Sequence, residues 1–161
     1  MLIPVLQELK AQGCRISVLG LTTAIDPLQA AGFEPLGFRH LLTAEDERAY
    51  EHGIRLAEEM QANGNPVPLE ETIAYLGLSY TDLEERFGTE NAEQQYRTQG
   101  RRAFLPLNPL RRAFDQMKPD VLLTTNSPRA ELASVKVARE RGIPSVSMVS
   151  LFGLQIADII A

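Results

Sequence analysis

Cysteine, histidine and basic residues are scarce in this chain of 161 residues. Because Cys14 is the single cysteine, an internal disulfide is excluded. The two histidines have no cluster of carboxylates or thiols at ligand spacing, so no metal site is expected. The 16 Lys and Arg residues are outnumbered by 21 Asp and Glu residues, and the net charge of −5 argues against a nucleic-acid partner.

Long apolar runs and glycine-rich loops are also missing. No apolar run approaches the roughly 18 residues that span a bilayer, and no basic leader opens the chain. These absences predict a cytoplasmic protein without a membrane span. Neither a dinucleotide fingerprint, a Walker phosphate loop nor a Gly-x-Ser-x-Gly elbow occurs. No cofactor is therefore expected, and self-contained dehydrogenases, kinases and hydrolases are excluded.

The composition and the opening segments are typical of a single α/β domain. Hydrophobic residues make up 44% of the chain and charged residues 23%, the ordinary globular balance. Residues 1–12 carry apolar side chains at helical spacing, and Gly13 then precedes a β-rich run at 14–20. A short helix from Asp26 and a weaker strand at 33–37, placed at a sheet edge by Pro35, continue the alternation.

The middle of the chain, from Thr43 to Gln99, is polar and predicts helices at roughly 44–62, 68–86 and 89–99. Apolar stripes on these helices indicate that they dock, either as a cap on the sheet or as a lid that binds an acceptor. Adjacent acids such as Glu70 and Glu71 diverge by about 100° on a helix. They therefore indicate a hydrated face and not an acid/base pair.

The last third predicts a parallel crossover. A helix from Leu110 to Met117 precedes a buried strand at 120–125, a helix opened by 126–131, and a second strand at 143–149. The tail from Gln155 is apolar.

The carboxyl ends of these two strands hold the candidate binding residues. Parallel sheets bind ligands beyond these ends, where backbone N–H groups at a helix start attract anions. The candidates are Thr125, Asn126, Ser127, Arg129 and Ser150. The alternative is that Asn126 or Ser127 only caps the helix and Arg129 is solvated.

The order of motifs carries a family resemblance. Residues 110–154, with Lys118-Pro119-Asp120 before the strand and Gly142-Ile143-Pro144 before the next, resemble the last α/β unit of the amino-terminal domain of GT-B type glycosyltransferases and UDP-N-acetylglucosamine 2-epimerases. Residues 2–21 are similar to that family's first helix and second strand. The resemblance implies one Rossmann-like α/β domain over 1–161, in three layers, with a mostly parallel sheet and a helical insertion at about 44–99.

Departures from the family pattern limit what is implied. The family's first strand, with its glycine-rich loop, and its carboxyl-terminal donor domain have no counterpart, so the chain is expected to be a truncated domain. Two acidic positions of the epimerases correspond to Asn126 and Ser150, which cannot act as acid or base.

The implied function is the acceptor-side half of a GT-B-like glycosyltransferase, acting on a sugar-containing or cell-envelope acceptor and inactive alone. A nucleotide sugar or another phosphorylated molecule is the implied ligand, and His40 is the candidate general base. The alternative is a non-enzymatic Rossmann-like module that binds a small anion or self-associates. Unpaired strand edges at 15–19 and 120–125 then predict pairing with each other or a homodimer.

Overall fold

The computed structural model describes residues 2–20, 24–61, 67–125 and 129–148, and most of them are helical. The helices are α1 (Ile3–Ala11), α2 (Ile25–Ala30), α3 (Glu47–Gln61), α4 (Leu69–Phe87), α5 (Thr89–Gln99), α6 (Leu107–Met117) and α7 (Ala130–Glu140). Short 3-10 helices lie at Phe38–His40 and Gly100–Ala103. The strands are β1 (Leu122–Thr124) and β2 (Ser145–Ser147). The chain divides into two compact units, 1–76 and 77–161, with the boundary inside α4.

The core of the first unit forms around the 3-10 helix at Phe38–His40. Phe38, Leu41 and Leu56 are fully buried. The ring of Phe38 meets that of Tyr75 edge to face, with ring centroids 5.2 Å apart. Aromatic pairs favour this arrangement. The 3-10 helix therefore anchors the core through Phe38, while Arg39 and His40 lie on the surface of the unit.

Strand pairing in the first unit is limited to one parallel bridge between Leu19 and Leu36. The Leu36 N–H donates to the Val18 carbonyl at 2.8 Å, and the Gly20 N–H donates to the Leu36 carbonyl at 2.9 Å. Leu36 uses both its N–H and its carbonyl in this bridge, so the missing N–H of Pro35 lies on the side away from residues 18–20.

The second unit contains the predicted crossover. β1 and β2 pair in parallel through α7, with Leu122 opposite Ser145, Leu123 opposite Val146 and Thr124 opposite Ser147. α7 contacts both strands and also packs on α6. The core of this unit includes the fully buried Leu83, Leu110 and Val137.

The expected three-layer, Rossmann-like α/β domain of GT-B type is wrong for the described residues. Helices account for 66% of the described residues, and the only sheet among them has two strands of three residues each. The strand-like runs at 14–20 and 33–37 yield a bridge and not a sheet. A strand needs a neighbour along its length, and β propensity alone does not supply one.

The polar middle of the chain forms the helices expected there. α3, α4 and α5 match the predicted segments 44–62, 68–86 and 89–99 to within three residues at each end. Gly88 and Gly100, with φ of 78° and 56°, separate α5 from its neighbours, because glycine adopts such angles without steric cost.

Candidate functional site

Hydroxyl groups meet at the carboxyl end of the β1–β2 pair. Thr124 and Ser147 are register partners, and their side-chain oxygens are 2.9 Å apart. The Met148 N–H donates to the Thr124 carbonyl at 2.8 Å, which keeps the strands paired to the end of β1. Thr125 follows directly. We call the segment of Thr125, Arg129 and the first turn of α7 the β1–α7 junction.

Arg129 occupies a strained backbone position at the start of α7. Its φ of 71° and ψ of −107° are costly for a residue with a Cβ atom, on the order of 1–3 kcal/mol. It takes the N-cap position without a side-chain cap, and α7 begins at Ala130. The guanidinium therefore belongs to the residue that directly precedes the first turn of α7.

A carboxylate also lies at the β1–α7 junction. The Thr125 hydroxyl donates to Glu131 Oε1 at 2.6 Å. The start of a helix favours a negative charge, so Glu131 is well placed in the first turn. Its charge opposes a bound anion, however, and Arg129 is the one described cation of this junction. The charge of Arg129 thus favours an anion at the junction, and that of Glu131 disfavours it.

Three of the predicted binding residues lie outside the described residues. They are Asn126, Ser127 and Ser150. Of the predicted set, the structure describes Thr125 and Arg129, which both belong to the second unit, and His40, which belongs to the first.

His40 is exposed, and one of its ring nitrogens is already engaged. Its Nδ1 accepts the N–H of Gly37 at 2.8 Å, within the turn that opens the 3-10 helix. An imidazole that accepts at Nδ1 carries its proton on Nε2, so its outer edge is a donor. Action as a general base at Nε2 requires loss of the bond to Gly37. The general-base role of His40 stays a prediction.

Glu71 anchors the same turn from α4. Its side chain is fully buried, and its two oxygens accept the N–H groups of Phe38 at 2.8 Å and Arg39 at 3.1 Å. The carboxylate thus caps the start of the 3-10 helix and faces its positive end. This contact corrects the prediction of a hydrated face for Glu71, while its neighbour Glu70 is exposed as predicted.

Asp82 caps a helix start in the second unit. Its Oδ1 accepts the N–H of Asn108 in the first turn of α6 at 2.7 Å, and its Oδ2 lies 2.9 Å from Arg86 Nε. The side chain is almost fully buried. Desolvation raises the pKa of Asp82, although the N–H of Asn108 and the charge of Arg86 act to lower it.

Asp82→Asn is expected to flatten the pH dependence of stability above about pH 4. Because the pKa of Asp82 is raised, the folded state holds the proton more tightly than the unfolded state does. Ionisation of Asp82 as pH rises from about 4 through its folded pKa therefore costs stability, and asparagine avoids this cost. Urea unfolding between pH 4 and 7 measures the difference between variant and wild type.

Asp115 provides a control of opposite sign for that experiment. Its exposed carboxylate bonds to Arg141 at 2.7 Å, and this bond lowers the pKa of Asp115. Its contribution is present above the unfolded pKa and is lost as pH falls below about 4. Asp115→Asn should then keep the wild-type slope between pH 4 and 7, and an equal slope for Asp82→Asn would contradict the assignment.

Surface ion pairs join α6 to α7. Arg111 donates to both oxygens of Glu140, with Nε–Oε2 and Nη2–Oε1 distances of 3.0 and 2.9 Å. The bond to Arg111 lowers the pKa of Glu140. Both groups are exposed, so the pair orients the helices more than it stabilises them.

Sequence reasoning missed the buried acids Glu71, Asp82 and Glu84. Each lies on α4, and the neighbouring sequence does not distinguish it from the exposed polar residues of that helix. The spacing of Asp82 and Arg86 at i and i+4 was the available signal for their ion pair. Nothing in the local sequence indicates that Glu71 has partners more than 30 residues away.

Metal and membrane sites are not found in the part of the chain that the structure describes. No group of three or more His, Cys, Asp or Glu side chains within it is arranged to hold a metal ion. None of its helices combines the length and apolarity needed to cross a membrane. No protein-family model, curated protein or solved structure matches the chain.

Proposed function

We propose that this chain binds a phosphorylated small molecule at the β1–α7 junction. The observation that carries the proposal is the strained φ of Arg129 at the start of α7. Backbone strain of this kind clusters at ligand-binding and active sites. The parallel crossover supports the location, because ligands of parallel sheets bind beyond the carboxyl ends of the strands.

The chemistry of the junction favours a phosphate over a neutral ligand. First-turn N–H groups and the helix dipole of α7 provide donors and positive potential. Arg129 adds a fork of donors that matches phosphate oxygens. Glu131 offsets part of this potential, so the proposal depends on Arg129. Among phosphorylated ligands, the resemblance at 110–154 favours a nucleotide sugar.

Arg129→Ala is expected to weaken phosphate binding by about 1–3 kcal/mol, or roughly 5- to 150-fold, because a charge-assisted contact is lost. Phosphate, uridine diphosphate and a uridine diphosphate sugar are titrated into isotope-labelled protein, and amide shifts at 125–131 are followed. Lys136→Ala removes one exposed positive charge from the same helix and serves as the control. Equal binding by both variants, or no shift at millimolar ligand, would contradict the proposal.

We further propose that the reaction served by this site is sugar transfer. This chain would be the acceptor-side part of the transferase. The retained order of Lys118-Pro119-Asp120, β1, α7, Gly142 and β2 is the observation that favours it. Orientation of donor and acceptor accounts for about 7–11 kcal/mol of such a barrier and requires both walls of a cleft. We therefore expect no nucleotide release from nucleotide sugars by this chain alone. Turnover that Asn126 or His40 variants abolish would overturn this.

Self-association is a second candidate function, because no strand of the described residues pairs with the outer edge of β1. The Leu122 N–H and the Thr124 carbonyl bond to β2, so the peptide groups of Val121, Leu123 and Thr125 face away from it. Such an edge is a template for a strand from a second copy. Light scattering on the purified protein tests the homodimer. The proposal also places the chain in the cytoplasm, a reducing compartment that suits the exposed thiol of Cys14.

A further inference from the structure

One face of the two-stranded sheet is apolar and largely exposed. Paired residues of parallel strands point to the same side, so Leu123 and Val146 share a face with Val121 and Met148, two residues away along each strand. Val121, Val146 and Met148 are 55%, 54% and 43% exposed, and Leu123 is half-buried. We call these four residues the open face. Thr124, on the opposite face, is buried.

The open face is unusual for a strand with this sequence. The continuous apolar run at 121–123 is typical of strands that are buried on both sides. α7 contacts both strands and supplies the helix layer that a two-stranded sheet needs, while the open face stays exposed. An apolar segment that packs on the open face would remove this apolar surface from water.

A second copy of the chain is poorly suited to this role. A stable dimer buries about 800 Å² on each partner, and four side chains that are about half exposed offer far less. Association must also overcome the loss of translational and rotational freedom of a whole protein. A segment tethered to the sheet avoids most of that cost, because its effective concentration is in the millimolar range.

We propose that residues 149–161 of this chain cover the open face. This segment lies outside the described residues and follows Met148 directly. Its apolar residues are Val149, Leu151, Phe152, Leu154, Ile156, Ile159 and Ile160, and Asp158 is its one charged side chain. The tether is long enough, since a few residues at about 3.3 Å each span both strands, which lie about 5 Å apart.

The test measures how fast a thiol on the open face reacts. In a Cys14→Ser background, Val146→Cys supplies the only thiol, and its reaction with a soluble disulfide reagent is followed over a range of protein concentrations. The same thiol is then measured after Ile156, Ile159 and Ile160 are changed to serine. Lys136→Cys, exposed on α7, is the matched control in both backgrounds and reports any general loss of folding.

If the segment covers the open face, the Val146→Cys thiol reacts at least 10-fold faster after the three serine substitutions. The Lys136→Cys thiol keeps its rate, and neither rate depends on protein concentration. A rapid reaction of Val146→Cys in both backgrounds would show an uncovered face and overturn the proposal. A slow reaction in both backgrounds would also overturn it: dependence on concentration would assign the face to a second copy, and independence would assign it to another part of the chain.

Discussion

Glu71→Ala is expected to lower the free energy of unfolding by about 2–5 kcal/mol. The carboxylate is fully buried and accepts the N–H groups of Phe38 and Arg39. Alanine leaves both donors buried or half-buried without an acceptor, and each unsatisfied donor costs about 1–3 kcal/mol. The variant also removes the negative charge at the positive end of the 3-10 helix.

Two further variants make this prediction specific. Glu71→Gln retains one acceptor oxygen and turns an amide N–H₂ group toward the other donor, so about half of the loss is expected. Glu70→Ala changes the exposed neighbour on α4 and should stay within about 0.5 kcal/mol of wild type. Urea unfolding gives the energies, and amide hydrogen exchange at Phe38 and Arg39 locates the effect. Equal losses for Glu70→Ala and Glu71→Ala would refute the capping role.

Gly53→Ala is expected to destabilise the first unit by about 1–3 kcal/mol. This is the opposite of the usual effect, since alanine in a helix interior is normally more stable than glycine by about 1 kcal/mol. A Cβ atom at Gly53 would overlap the carbonyl oxygen of Ile73 in α4 and lie 2.8 Å from Ile73 Cγ2. Because the main obstacle is backbone, α3 must move as a whole to relieve it.

Glu51→Ala is the matched control for that substitution. Glu51 is exposed on α3, two residues before Gly53, and its replacement by alanine should change the unfolding free energy by less than about 0.5 kcal/mol. Thermal or urea unfolding compares the two variants. A Gly53→Ala protein as stable as wild type would mean that α3 and α4 do not approach closely at this glycine.

The helices were predictable because their signals are local. Apolar stripes, prolines and glycines between 44 and 99 predict three helices, and the structure has them within a few residues. The β1–α7–β2 crossover was predictable for the same reason, since a buried run, a helix pattern and a second run follow one another without interruption.

The candidate site was predictable only in part. The sequence indicates that an anion-binding helix start follows β1, but the positive φ of Arg129 and the bond from Thr125 to Glu131 depend on how the turn folds. Likewise, Glu70 and Glu71 differ by about 100° on α4, and the pattern does not tell which one points inward. The structure shows that it is Glu71.

By itself, the sequence determined the helix positions, the parallel crossover and the lack of metal-ligand spacing, because these depend on residues close together in the chain. Tertiary structure alone decided that the run at 14–20 forms one bridge, that Glu71 and Asp82 cap distant helices, and that one face of the β1–β2 sheet is open. These features depend on hydrogen-bond partners and packing neighbours as far as 33 residues away, as for Phe38 and Glu71. Local propensity does not specify such partners, since burial and pairing are settled by whole elements together.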